Sequence, residues 1–361
     1  MTQREKEILD ILKSEPMISQ QELADRLMIT RSSVAVHITN LLKKGYILGK
    51  GYIVQEEPYI VVIGGANIDI QGIPKSKLTY KDSNIGEVRI SLGGVGRNIA
   101  ENCARLNIPT RLISVIGDDL YGQQMLKHAQ TINLHMQDCL IIPQTPTSTY
   151  VSILDESRDL AVSVNHMESI GLLTVEDIKT KRSLIEHAQL CVLDTNLSES
   201  VLEYLLTSFP DTRFFVDPVS GSKAMKIKPY LSAIFTLKPN LLEAKVLSGM
   251  KENSSPSIEE IAKSLKSQRV FISLGPDGVY AIEGGKSIHF QSPFIEVINA
   301  TGAGDAFMAG LVYAYLKGLD TEETVRIAMA ASRLALAHFD TINPNLCEQL
   351  LLKTMEEIKH V

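Results

Sequence analysis

The chain reads as an α/β protein: a three-layer α/β/α domain with a small antiparallel β lid, preceded by a small all-α domain. Three observations carry this reading. From Tyr59 onward, short β-rich runs at 60–64, 111–116, 190–194, 213–217, 234–238 and 270–274 alternate with helical patterns, which predicts a mostly parallel sheet covered by helices on both faces. The stretch 86–94 instead alternates strictly, with Val88, Ile90 and Leu92 on one face and Glu87, Arg89 and Ser91 on the other, and 147–154 and 160–164 behave alike; this predicts an antiparallel sheet projecting from the body. The opening residues hold three separately capped helical patterns. With 361 residues the chain exceeds what one core ordinarily holds, so the boundaries are set at 1–56 and 57–361, with the lid drawn from about 70–94 and 145–166.

Composition narrows the class. Hydrophobic residues make up 44% and charged residues 22% of the chain, which excludes disordered, collagen-like and coiled-coil proteins. No apolar run approaches the ~20 residues of a membrane span, and the charged start Met1 to Glu7 lacks a signal-peptide core, so a cytoplasmic protein without membrane partners is expected. Cys103, Cys139, Cys191 and Cys347 lie far apart, as reduced thiols rather than a zinc or redox pair. Net charge is −6 overall.

In the first segment, Thr2-x-x-Glu5 and Ser19-x-x-Glu22 fit capping boxes and Thr30 can cap a third helix. Apolar residues recur at helical spacing: Ile8, Leu9, Ile11 and Leu12; Leu23, Ala24 and Leu27; Val34, Ile38, Leu41 and Leu42. Residues 46–54 read as a tight hairpin with glycine at the turn. The whole resembles a winged helix-turn-helix with a very short wing. The third helix carries Arg31, His37, Lys43 and Lys44 and no acid. A DNA-binding reading puts Arg31, Ser32, Ser33, His37 and Asn40 on the outer face at base edges, with Lys43, Lys44 and Lys50 near phosphates. The other reading is a helical module that serves assembly, and the segment's net charge of only +1 is small for an independent DNA binder.

The chemistry concentrates at Asn299-Ala300-Thr301-Gly302-Ala303-Gly304-Asp305. Gly302 and Gly304 allow a tight turn whose bare N–H groups can approach an anion, and a helical pattern follows. Asp305 stands at its mouth, either as a base for a hydroxyl proton or as an ordinary helix cap. A second cluster, Gly93-Gly94-Val95-Gly96-Arg97-Asn98, opens another helix but is neither a dinucleotide fingerprint nor a Walker loop. Asn67 and Asp69 offer an amide and a carboxylate at alternate positions, suited to paired hydroxyls of a sugar or to capping a loop. Among the eight histidines, His166 in the lid is the one kept as a ligand contact.

These two glycine motifs, with Asn240-x-x-Glu243 and Ser273-Leu274-Gly275-Pro276-Asp277-Gly278, resemble the signatures of the ribokinase-like (PfkB-type) carbohydrate kinase family, in the family's order and from Tyr59 to about Val361. The resemblance implies a ribokinase-like fold and ATP-dependent phosphorylation. It implies Asp305 as catalytic base, Gly302, Ala303 and Gly304 as anion hole, and Asn240 and Glu243 as organisers of Mg²⁺ and phosphates. Ser273, Gly275, Gly278 and Thr301 would line the ATP site. Asn67, Asp69, Gly93, Gly94 and Asn98 would hold the sugar, and the lid would serve as dimer clasp. Stretches such as 62–69, 93–100, 215–220 and 236–240 are similar to the pseudouridine kinase branch, implying 5′-phosphorylation of that nucleoside. Asn165, His166 and Asn196 are candidates for reading its base. Many relatives carry Asp where Asn299 stands, near a monovalent-cation site, which leaves activation by K⁺ open. The alternatives are a kinase of the same chemistry for inosine, guanosine or a free sugar, and a transcription regulator that senses its ligand through the kinase-like domain.

Overall fold

The computed structural model describes residues 1–47, 57–157, 159–250, 256–293 and 297–358. The chain divides into two compact units, Met1–Pro58 and Tyr59–Val361.

In the first unit, helices α1 (Gln3–Ser14), α2 (Gln20–Leu27) and α3 (Arg31–Lys43) start where the hydroxyl caps stand. The capping boxes of Thr2 with Glu5 and Ser19 with Glu22 are both closed, and Thr30 accepts from the Ser33 N–H, which supplies acceptors for donors that a helix start leaves orphaned. Ile8, Leu12, Leu23, Val34 and Leu41 are fully buried together. Lys44, expected near phosphates, instead donates to both carboxylate oxygens of buried Glu5 at 2.8 and 2.7 Å. The pair ties the end of α3 to the first turn of α1. The expected hairpin lies, from residue 48 on, outside the described residues, as does Lys50.

Among its described residues the second unit holds fourteen strands, numbered in chain order. The main sheet holds β1 (Ile60–Ile63), β4 (Thr110–Ile113), β9 (Cys191–Asp194), β10 (Phe214–Asp217), β11 (Thr236–Leu237), β12 (Arg269–Ser273), β13 (Val279–Glu283) and β14 (Lys286–Phe290). The lid holds β2 (Asn67–Pro74), β3 (Gly86–Gly93), β7 (Thr149–Leu154) and β8 (Leu160–His166); β5 (Val115–Gly117) and β6 (Leu140–Ile142) form a separate parallel pair. The main sheet runs β14-β13-β12-β11-β10-β9-β1-β4, parallel from β12 to β4 and antiparallel from β12 to β14. The antiparallel end follows from short links that cannot carry a crossover. Its parallel strands are buried on both faces: Val62 and Phe215 join one apolar cluster, Val61 and Val216 the other.

The lid departs from the antiparallel expectation at one seam. β2–β3 and β7–β8 are antiparallel hairpin-type pairs, but β2 and β7, which join them, run parallel. Both strands leave the body in the same direction and their partners return, so the lid is two antiparallel pairs placed side by side. Among the described residues no helix is long and apolar enough to cross a membrane.

Candidate active site

The helix Ala303–Leu316 starts behind Gly302, whose φ of 83° is left-handed. A Cβ there would sit 2.1 Å from the Thr341 carbonyl oxygen, so the turn requires glycine. The N–H groups of the first turn have no helical partner, and they carry the positive end of the helix dipole. Asp305 lies in that turn, 8% exposed, and its Oδ2 accepts from Asn98 Nδ2 at 2.8 Å. Burial pushes the Asp305 carboxyl up to about 7; Asp217 and Asp194 add to the rise, while Asn98 and Lys238 oppose it. A carboxylate so placed is poised to accept a proton near neutrality.

Two residues that sequence reasoning passed over complete this centre. Lys238, buried at the end of β11, donates to Asp217 Oδ2 at 2.7 Å and to the Gly304 carbonyl at 3.2 Å. Burial works against its ammonium, but Asp217 outweighs it and raises the lysine above its ordinary value. Asp217 also accepts from the Val219 N–H at 2.9 Å, and Val219 itself has a φ of 62°, a strained conformation for a β-branched residue. Both signals were present in the sequence: a lysine closing the β-rich run 234–238, and carboxylates closing β9 and β10 at the carboxyl edge where open α/β sheets bind ligands.

Beside it, Asp194 Oδ2 accepts from the Gly65 and Gly96 N–H groups, both at 2.8 Å, which ties the end of β1 to the start of helix α4 (Val95–Arg105). Burial lifts this carboxyl to about 6. At Gly94, φ 98°, a Cβ would lie 2.5 Å from the Gly65 carbonyl oxygen, so this turn too requires glycine. Asn67 Nδ2 donates to Asp69 Oδ1 at 2.6 Å, and Gly93 pairs with Asn67 across β2 and β3. The carboxyl of Asp69 is raised by burial. Asn67, Asp69, Gly93, Gly94 and Asn98 are thus brought to one place.

Lid register divides the base-reading candidates. Asp69 pairs with Tyr150, and Tyr150 with Asn165, so these three share a face; His166 pairs with Thr149, and Thr149 with Ile68, on the opposite face. His166 therefore stands apart from Asn67 and Asp69, since successive strand residues point oppositely. Asn196 accepts from Lys223 Nζ at 2.7 Å next to the Asp194 loop.

On the other side of Gly304 opens a cavity of about 580 Å³, lined by Lys238, Ser273, Gly275, Gly278, Ala303 and Gly304 and walled by Met329 and Leu336. Thr301 is exposed beside it, its N–H donating to Asn299 Oδ1 at 2.9 Å. Asn240 caps the helix Leu241–Ser248 and closes a capping box with Glu243 through bonds of 2.9, 2.9 and 2.8 Å; burial raises the Glu243 carboxyl. Among the described residues no three His, Cys, Asp or Glu side chains gather to cage a metal. A single carboxylate suits Mg²⁺, which keeps waters and substrate phosphates as its other ligands.

In the winged unit, Arg31, Ser32 and Lys43 are exposed, and Ser33, His37 and Asn40 are half-buried. The Thr30 hydroxyl bonds those of Ser32 and Ser33 at 2.9 and 2.8 Å.

A buried carboxylate at a helix start, with residues 67–69 and 93–98 on one side and a cavity of about 580 Å³ on the other, suits an α/β phosphotransferase. Residues 57–347 match the model for pfkB family carbohydrate kinases, and the chain belongs to that family. Residues 1–47 match a winged helix-turn-helix DNA-binding model. The chain is 38% identical over 350 residues to the uncharacterized sugar kinase YeiI of Escherichia coli, covering 96% of this chain and 97% of that one. It is equally 38% identical over 296 residues to the pseudouridine kinase of the same organism, with 81% and 95% covered. Among solved structures it is similar to a carbohydrate kinase from Agrobacterium tumefaciens, with a TM-score of 0.72 and 25% identity over 83% of this chain and 97% of that one. The expectations of a ribokinase-like fold and of an ATP-dependent carbohydrate or nucleoside kinase hold.

Proposed function

We propose that the protein transfers the γ-phosphoryl group of ATP to the 5′-hydroxyl of a nucleoside, pseudouridine. The observation that carries the chemistry is Asp305, buried in the first turn behind Gly302 and held by Asn98; the 38% identity to a pseudouridine kinase supports the acceptor. Asp305 takes the hydroxyl proton as the oxygen attacks in line. The N–H groups around Gly302, Ala303 and Gly304, with the Lys238 ammonium nearby, offset charge growing on the phosphoryl oxygens. Asn67, Asp69, Gly93, Gly94 and Asn98 hold the ribose, and Asn165 faces the base. Ser273, Gly275, Gly278 and Thr301 bound the ATP site. Asn240 and Glu243 would hold Mg²⁺, which supplies charge neutralisation on the phosphates. A K⁺ site would rest on backbone carbonyls, since the Asn299 amide is engaged by Thr301 and by the Phe339 carbonyl, the latter at 2.9 Å.

The opposite lid face exposes Val88, Ile90, Val162 and Val164, an apolar surface suited to a second copy of the chain. Residues 1–47 favour a second role, binding double-stranded DNA through Arg31, Ser32, Ser33, His37, Asn40 and Lys43. The test is ADP release with pseudouridine beside uridine, inosine, guanosine, ribose and fructose, followed by a DNA-retention assay with and without the nucleoside. Selective turnover of pseudouridine is expected. Turnover of another acceptor overturns the substrate, and none on any compound leaves ligand-sensing regulation as the reading.

A further inference from the structure

Arg97 sits between the two glycine motifs' chemistry, yet neither sugar nor phosphate binding uses it. It is 3% exposed, on the first turn of α4. Its Nη1 donates to the Leu92 carbonyl, near the end of lid strand β3, at 2.8 Å, and to Asn98 Oδ1 at 2.9 Å. Its Nη2 pairs with Glu101, which also takes Arg105 and His128. Burial works against the Glu101 carboxylate, but His128, Arg97 and Arg105 hold it at about 2. The guanidinium is therefore clamped from behind.

A guanidinium only donates, so it dictates which end of the Asn98 amide it meets. With Oδ1 turned to Arg97, the Asn98 side chain can present only its NH₂ to Asp305, where Nδ2 lies 2.8 Å from Oδ2. A donor there favours the carboxylate over the protonated acid. Were the amide reversed, its oxygen would accept from a protonated Asp305 and stabilise the form that cannot act as a base.

We propose that Arg97 is a positioning residue: it fixes the Asn98 amide so that Asp305 stays a proton acceptor, and it fastens that setting to lid strand β3 through the Leu92 carbonyl. The inference rests on the reading of Asp305 as general base. The other charged groups facing Asp305 are Asp217, Lys238 and Asp194, and those facing Arg97 are Glu101, Arg105 and Asp69. All are retained in the variants below.

The test is the pH profile of kcat/KM for pseudouridine and ATP, with wild type, Arg97→Gln and Arg97→Lys. Losing one hydrogen bond's worth of bias moves the acid limb up by about 0.5 to 1 pH unit. Arg97→Gln, whose amide can accept as well as donate, is expected to show that shift, with turnover depressed at pH 6.5 and largely recovered at pH 9. Arg97→Lys loses the forked geometry but keeps a donor-only cation and is expected to stay nearer the wild-type limb, and circular dichroism confirms which variants fold. An unmoved acid limb in folded Arg97→Gln, or a shift in Arg97→Lys as large as that in Arg97→Gln, overturns the proposal. Asp305→Asn run alongside keeps the two readings apart: undiminished turnover there removes the base itself, whereas abolished turnover with an unmoved Arg97 profile removes only the positioning role.

Discussion

The transfer centre and the lid are made by opposite means. Around Asp305 the side chains are buried and hydrogen-bonded before any substrate arrives: Asn98 on Asp305, Lys238 on Asp217, and two glycine N–H groups on Asp194. Rigid, low-dielectric placement is what proton abstraction and charge stabilisation need. The lid strands β3 and β8 instead expose most of their residues, on both faces. Side chains so exposed bury little apolar area of their own. On the proposed reading, the chemistry is preformed in one region, and the substrate contacts of the other remain exposed.

The largest effect that would break this contrast belongs to Asp305. Asp305→Asn should lower kcat by about 10² to 10⁴, with nucleoside binding nearly unchanged by calorimetry. The same carboxyl sets a pH dependence: with its folded-state value near 7, activity should fall as pH drops through about 7, because the protonated acid cannot take a proton. For stability the sign is reversed. A carboxyl raised on folding favours the folded state once protonated, so this group's contribution is lost as pH rises through its folded value.

Next comes the turn. Gly302→Ala places a methyl 2.1 Å from the Thr341 oxygen at a φ of 83°, and the displaced N–H groups should cost kcat on the order of 10²-fold. Lys238→Met leaves Asp217 buried without its ammonium partner, which should destabilise the kinase unit by about 3–5 kcal/mol; urea unfolding measures it. The smallest effects sharpen the lid side. Asn165→Ala, on the face of Asp69, should raise KM for the nucleoside by about tenfold, while His166→Ala, on the other face, should leave KM alone. Equal effects would mean that the lid register does not sort substrate contacts.

How much of this was legible in the sequence follows from distance along the chain. The two glycine motifs and the Asn240-Glu243 box are local, written within a few residues, and they stand in the structure as helix starts. Lys238, Asp217 and Asp194 meet only because β9, β10 and β11 are neighbours in the sheet, an order that periodicity does not encode. The parallel seam between β2 and β7 escaped for the same reason. His166 and Asn165 were indistinguishable until register assigned each a face. Lys44 read as a phosphate contact because its partner, Glu5, lies at the far end of the module's sequence.

The measurement that bears most directly on the central claim is single-turnover formation of the 5′-monophosphate from pseudouridine and ATP, with product identified by mass, for wild type and Asp305→Asn at saturating substrates. Rapid product formation by wild type and a loss of at least about 10² in the variant is the predicted result. Equal rates would contradict it.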